Sequence, residues 1–128
     1  MRIRLVNGLP IIEVLFTYQN QSVLLPNVLL DTGCATTIFD IDLIEPTGLT
    51  IDPIQGRAVR MYGIGGQSEL SFQQPVHSLT LNHHTLNDFV IQLGQTKEPY
   101  GFDGILGVDF LSTLQLNIDF KDMVVRKP

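Results

Sequence analysis

The chain has 128 residues, 44% of them hydrophobic and 16% charged, with a formal net charge of −5. That length predicts one domain over residues 1–128, and the apolar fraction excludes a disordered segment. The eight Lys and Arg are scattered, which argues against nucleic acid as a partner, since its phosphates call for a clustered basic surface.

Short β-rich runs separated by turn residues then follow one another. Arg2 to Val6 alternates, and Asn7-Gly8 is a dipeptide that tolerates the positive φ angles of a hairpin turn. Pro10 to Tyr18 reads as a strand, Gln19 to Ser22 as a turn, and Val23 to Leu30 as a strand that Pro26 turns toward an edge or a bulge. Thr36 to Phe39 is strand-like, and Asp40 to Glu45 predicts one helical turn stopped by Pro46. Further strands are expected at Arg57–Tyr62, Ser68–Phe72, Val76–Asn82 and Thr85–Leu93, with His83-His84 in a solvent-exposed turn. A late helix over Val108–Leu114 precedes strands at Gln115–Phe120 and Met123–Arg126. This spacing predicts a mostly antiparallel β-barrel or sandwich.

Cys34 is the single cysteine, so there is no internal disulfide framework and no multi-cysteine metal site. No metal and no cofactor are expected; His83 and His84 are adjacent and on a strand would face opposite ways. The first eight residues lack the apolar run and cleavage site of a signal peptide, and no stretch has bilayer length. A cytoplasmic chain with no membrane partner is therefore expected.

Three segments carry chemistry. Leu30 ends an apolar strand and leads into Asp31-Thr32-Gly33, which presents a carboxylate at the edge of a core on a turn that Gly33 permits and the Thr32 hydroxyl can brace. Tyr62-Gly63-Ile64-Gly65-Gly66, between two strand-like runs, predicts a hairpin with a mobile tip able to close over a ligand. A phosphate-cradling loop fits less well, because Ser68 stands where a third glycine belongs and no helix follows. Phe102-Asp103-Gly104-Ile105-Leu106-Gly107 predicts a buried strand whose terminal glycine lets another segment pass close by.

In this order the three segments resemble the retropepsin-like aspartic proteases, single-domain relatives of retroviral proteases and pepsins. Leu30 to Gly33 is similar to the family's catalytic motif, Gly63 to Gly66 to the flap tip of retroviral proteases, and Phe102 to Gly107 to a pepsin motif. Val108 to Leu111 and Ile118 to Phe120 look like the helix and closing strand of non-viral members. The resemblance implies a closed antiparallel β-barrel of the acid-protease type with one short C-terminal helix and a flap hairpin. It assigns Asp31, Thr32 and Gly33 to catalysis and Tyr62, Gly63, Ile64, Gly65 and Gly66 to substrate binding. Two positions depart from the pattern. Cys34 stands where retroviral proteases have Ala and pepsins Ser, and Ala35 stands where retroviral proteases carry a second acid.

Such enzymes use two carboxylates that share one proton, yet Asp-Thr-Gly occurs once here. The resemblance therefore implies a homodimer whose two-fold axis brings two copies of Asp31 together over a polypeptide substrate. The competing expectation is a non-catalytic module that keeps the fold for dimerisation or peptide binding.

Overall fold

The computed structural model describes residues 1–62, 65–66 and 68–128. Residues 63, 64 and 67, within the expected flap tip, lie outside the described residues.

Strand β1 (Ile3–Val6) turns at Asn7-Gly8, both with positive φ, into β2 (Leu9–Tyr18), which turns at Gln19-Asn20 into β3 (Gln21–Leu30). Between the Ile12↔Val28 and Val14↔Leu25 pairs, β3 carries one residue more than β2. The extra residue falls at Pro26-Asn27, the bulge that a proline without an N–H favours. After β4 (Ile38–Asp40) comes α1 (Ile41–Ile44), capped by the Asp40 carboxylate accepting from the Asp42 N–H at 3.1 Å. A single 3-10 turn, Glu45–Thr47, follows and ends at Gly48.

The antiparallel pair β5 (Arg57–Tyr62) and β6 (Ser68–Leu81) runs from Arg57↔Gln73 to Tyr62↔Ser68. Strand β6 is continuous where a break was expected after Phe72. Pro75 sits inside it opposite Val90, and β7 (His84–Gly94) pairs along its length. A helical turn, α2 (Lys97–Tyr100), and a short strand, β8 (Gly104–Leu106), lead to α3 (Val108–Thr113). The chain ends in a separate hairpin of β9 (Asn117–Asp119) and β10 (Val124–Arg126). Met1 joins it, its ammonium donating to the Val125 carbonyl at 2.7 Å. Among the described residues no helix is long and apolar enough to cross a membrane.

The main sheet is ordered β1-β2-β3-β8-β4-β7-β6-β5, and β6 returns to pair with β2 through Phe16↔Leu81 and Thr17↔Thr80. Most pairings are antiparallel, as expected, but β3–β8 and β4–β7 are parallel. Among the described residues, α1 and α3 fall where helical segments were expected, and α2 is a third that was not. The core lies inside this curved sheet, where Phe16 and Phe39 pack edge to face with centroids 5.0 Å apart. Strand β8 crosses β4 closely: a Cβ on Gly104 would stand 2.7 Å from the Phe39 ring and 2.9 Å from the Ile38 carbonyl.

His84 corrects a sequence expectation. It opens β7 and is buried, its ring 6.2 Å from that of Phe110 in α3. Burial, followed by the positive charges of His83, Lys127 and the N-terminus, lowers its pKa.

Candidate active site

Asp31 stands where two parallel strands end side by side. Leu30 of β3 pairs with Leu106 of β8, and the Asp31 N–H donates to the Leu106 carbonyl at 3.0 Å. The chain then turns within four residues, closed by the Cys34 N–H on the Asp31 carbonyl at 3.2 Å. Inside the turn the Gly33 N–H donates to Asp31 Oδ1 at 2.9 Å, so the backbone fixes the carboxylate's direction. Gly33 does not occupy a positive φ. Its glycine matters for another reason: a Cβ there would stand 3.2 Å from Asp31 Oδ1 and crowd the carboxylate. Thr32 is exposed, and its hydroxyl makes no hydrogen bond among the described residues. Within the chain, the loop is braced by Thr37 and α3.

The loop after Asp31 rests on the start of α3. Val108 and Asp109 donate their N–H groups to the carbonyls of Cys34 at 2.8 Å and Ala35 at 3.3 Å. The Asp109 carboxylate accepts the Thr37 N–H at 3.0 Å from each oxygen and the Thr37 hydroxyl at 2.7 Å. That hydroxyl in turn accepts the Gly107 N–H at 2.9 Å. Gly107 is held so close that a Cβ would meet the Cys34 carbonyl oxygen at 2.6 Å. This is the close passage its sequence position predicted.

The Cys34 thiol donates to the Thr36 carbonyl at 3.1 Å. Burial, with the Asp31 and Asp109 carboxylates adding to it, pushes the thiol pKa up. A raised pKa disfavours the thiolate, so Cys34 is poorly suited to be a nucleophile.

Asp31, Gly33 and Tyr62 line one cavity of about 530 Å3. It is lined as well by Ile38 and Ile105, by Glu69–Ser71 of β6, by the Gly94–Thr96 segment and by Tyr100 of α2. Tyr100 donates its hydroxyl to Glu69 Oε1, and that hydrogen bond raises the phenol pKa. Thr32, Gly65 and Gly66 are not among the lining residues. Gly65 and Gly66 have φ of +95° and +81°, backbone that glycine adopts without strain. Among the described residues no group of three His, Cys, Asp or Glu is placed to hold a metal.

Residues 16–110 match a family model described as aspartyl protease. The chain belongs to that family. Solved structures show the same retropepsin-like fold. A retropepsin-like aspartic protease from Rickettsia conorii superposes with a TM-score of 0.63 at 16% identity, covering 98% of this chain and 86% of that one. The EIAV protease in complex with the inhibitor HBY-793 gives 0.54 at 21% identity, covering 88% of this chain and 93% of that one. The retroviral protease-like domain of Ddi1 from Leishmania major gives 0.55 at 18%, covering 91% and 86%. No curated protein sequence matches the chain.

In this member of the aspartyl protease family, two residues that support the Asp31 loop and two that line the cavity escaped the sequence reading. Thr37 and Asp109 hold the Asp31 loop from 72 residues apart, and Glu69 and Tyr100 meet across the cavity from 31 apart. Asp109 had a faint local signal as an acid in the first turn of a helix. The others had none.

Proposed function

We propose that the chain is an aspartic endopeptidase, active as a homodimer in which Asp31 of each subunit forms one catalytic pair. The observation that carries this reading is the Asp31 carboxylate, lining a cleft with one oxygen fixed by the Gly33 N–H. An aspartate kept only for packing has no need of an open cleft beside it. Thr32 and Gly33 leave the flank of Asp31 exposed, the side on which a two-fold related subunit would bring its own copy.

In such a pair the two carboxylates share one proton, because two adjacent charges cannot both ionise cheaply. The ionised carboxylate takes a proton from water while the protonated one gives its proton to the scissile carbonyl oxygen. Water oxygen bonds to the carbonyl carbon, giving a tetrahedral diol. Proton transfer to the amide nitrogen then lets the C–N bond break, releasing an amine and a carboxylic acid and restoring the shared proton. The rigid seat under Asp31, from Leu106 to Asp109, keeps both carboxylates in register through these transfers. The whole chain acts as one domain, its sheet closing as a barrel through β2 and β6. Tyr62 and the segment from Gly63 to Gly66 serve as a flap that holds an extended polypeptide against the pair.

Cleavage of an unbiased peptide library tests the reading. Products should appear with the parent chain, be suppressed by a statine-type peptide, and vanish in Asp31→Asn. A dimer that binds peptide but yields no products from any of them would favour the non-catalytic module.

A further inference from the structure

The cavity beside Asp31 has an uneven chemistry. Its volume of about 530 Å3 is lined by Ile38, Ile105, Leu70 and Met61, and also by Glu69. Met61 and Glu69 are register partners across β5 and β6, so the thioether and the carboxylate stand side by side on one face. Glu69 Oε1 is engaged by the Tyr100 hydroxyl, while Oε2 has no protein donor among the described residues. No Lys, Arg or His is among the described lining residues. The adjoining cavity of about 630 Å3, which shares Glu69, Leu70 and Ser71, adds Glu98 and again no basic group.

An apolar sleeve ending in an oriented carboxylate with a spare oxygen suits one kind of side chain. Lysine and arginine lay an aliphatic stem along apolar surface and keep the charge at its end. A purely aliphatic residue would fill the sleeve and leave Glu69 with nothing to receive. An acidic residue would meet Glu69 and Asp31 as like charges. Resting on the reading of this cavity as the substrate cleft, we infer that Glu69, oriented by Tyr100, selects a basic side chain at a substrate position adjoining the scissile bond. The partner is a lysine- or arginine-bearing polypeptide, and Glu69 acts as a specificity residue that takes no part in the proton transfers.

The test compares peptides that differ at one position, arginine or lysine against norleucine, with the parent chain and with Glu69→Gln. Gln keeps an acceptor for the Tyr100 hydroxyl but removes the charge, so the fold is not at issue. The parent should favour the basic peptide at a position next to the cut by about tenfold or more in kcat/KM, the scale of one charge-assisted hydrogen bond. Glu69→Gln should bring that ratio close to one while still cleaving the norleucine peptide, and Glu69→Lys should disfavour the basic one. Cleavage with no basic preference, or a preference that survives Glu69→Gln, overturns the inference and leaves the peptidase reading intact. Binding of a non-cleavable reduced-amide peptide, followed by fluorescence anisotropy, separates the two ideas further. Tighter binding of the arginine peptide by the parent, lost in Glu69→Gln, supports the inference even if no peptide is cut. Equal binding of both peptides, or binding of neither, overturns it.

Discussion

The Asp109 carboxylate receives both polar hydrogens of Thr37, the N–H at 3.0 Å and the hydroxyl at 2.7 Å, and so pins the segment leaving Asp31 to the first turn of α3. The contact is partly buried, and Gly107, at the start of α3, donates to the same hydroxyl, so two distant backbone segments share one carboxylate's support. Asp109→Ala would leave the Thr37 N–H and hydroxyl without this acceptor, at a cost of about 1–3 kcal/mol. The same change frees the loop that aims Asp31, so kcat should fall more than KM rises. Asp109→Asn retains one carbonyl oxygen and should be the milder variant in both respects. Denaturant midpoints and steady-state kinetics of the two variants check this. Equal kcat in the parent and Asp109→Ala would mean that the loop holds itself.

Cys34 lies beside Asp31 and invites a rival chemistry, a thiol nucleophile. Burial and two neighbouring carboxylates raise its pKa, so the thiolate is scarce at neutral pH and gains only as the solution becomes alkaline. The pH–rate profile should accordingly show no alkaline rise. Cys34→Ala should keep kcat/KM within about tenfold of the parent, or about 1.4 kcal/mol of barrier. It should lose about 1 kcal/mol of stability with the thiol donor to the Thr36 carbonyl. Loss of all activity in Cys34→Ala, with Asp31→Asn still active, would reverse the assignment.

His84 provides a pH effect on stability that is separate from catalysis. Its folded pKa lies below the value of the unfolded chain, so the unfolded state takes up the proton first as the pH falls. The His84 contribution is therefore fully present above the ordinary histidine range and is lost progressively as the solution is acidified through it. Thermal unfolding of the parent should shift to lower temperature between neutral and mildly acidic pH by more than that of His84→Leu. Parallel curves for the two proteins would show that protonation of His84 costs the fold nothing.

At the proposed flap, Gly65 has a φ of +95° and, among the described residues, nothing within 4 Å of where a Cβ would project. Against the described residues Gly65→Val thus meets only the backbone strain of a β-branched residue in the left-handed region, about 1–3 kcal/mol. At a solvent-exposed tip that strain can relax by reshaping the hairpin. Circular dichroism should be unchanged while kcat/KM falls severalfold. Full activity in this variant would mean that the tip is not a working lid.

What the sequence revealed and what it hid follow from the range of the interactions. Asp31-Thr32-Gly33 is a local device, since its key hydrogen bond spans two residues, and it could be read from the chain. Pro26 marked its bulge for the same reason, because the missing N–H belongs to the residue itself. Pro75 was less informative. A proline usually ends a strand, but β6 carries it with partners on both sides of it in the ladder with β7. The helical turn at Lys97–Tyr100 had Pro99 inside it and Gly101 closing it in the left-handed region, a weak signal over four residues. His84 reads as a turn residue until Phe110 of α3 is placed over it. The Thr37–Asp109 and Glu69–Tyr100 pairs arise only when distant strands meet, and no period or propensity encodes them.

The proposed dimer carries the sharpest prediction, because the Asp31 motif occurs once per chain and the proposed mechanism needs two. Asp31→Asn should leave the fold and peptide binding intact, since the Gly33 N–H still finds a carbonyl oxygen, but it cannot supply the acid–base pair. A mixed dimer with one Asp and one Asn has no partner carboxylate with which to share a proton, so it should be nearly inactive. Random exchange of equal amounts of parent and mutant chains leaves about one quarter of dimers with two aspartates. Activity per parent chain should then settle at about half its starting value, and excess mutant should drive it lower. Dilution of the parent alone should also reduce specific activity once dimers dissociate. Activity proportional to parent chain, indifferent both to added mutant and to dilution, would mean that one chain holds a complete site and that the paired Asp31 arrangement is wrong.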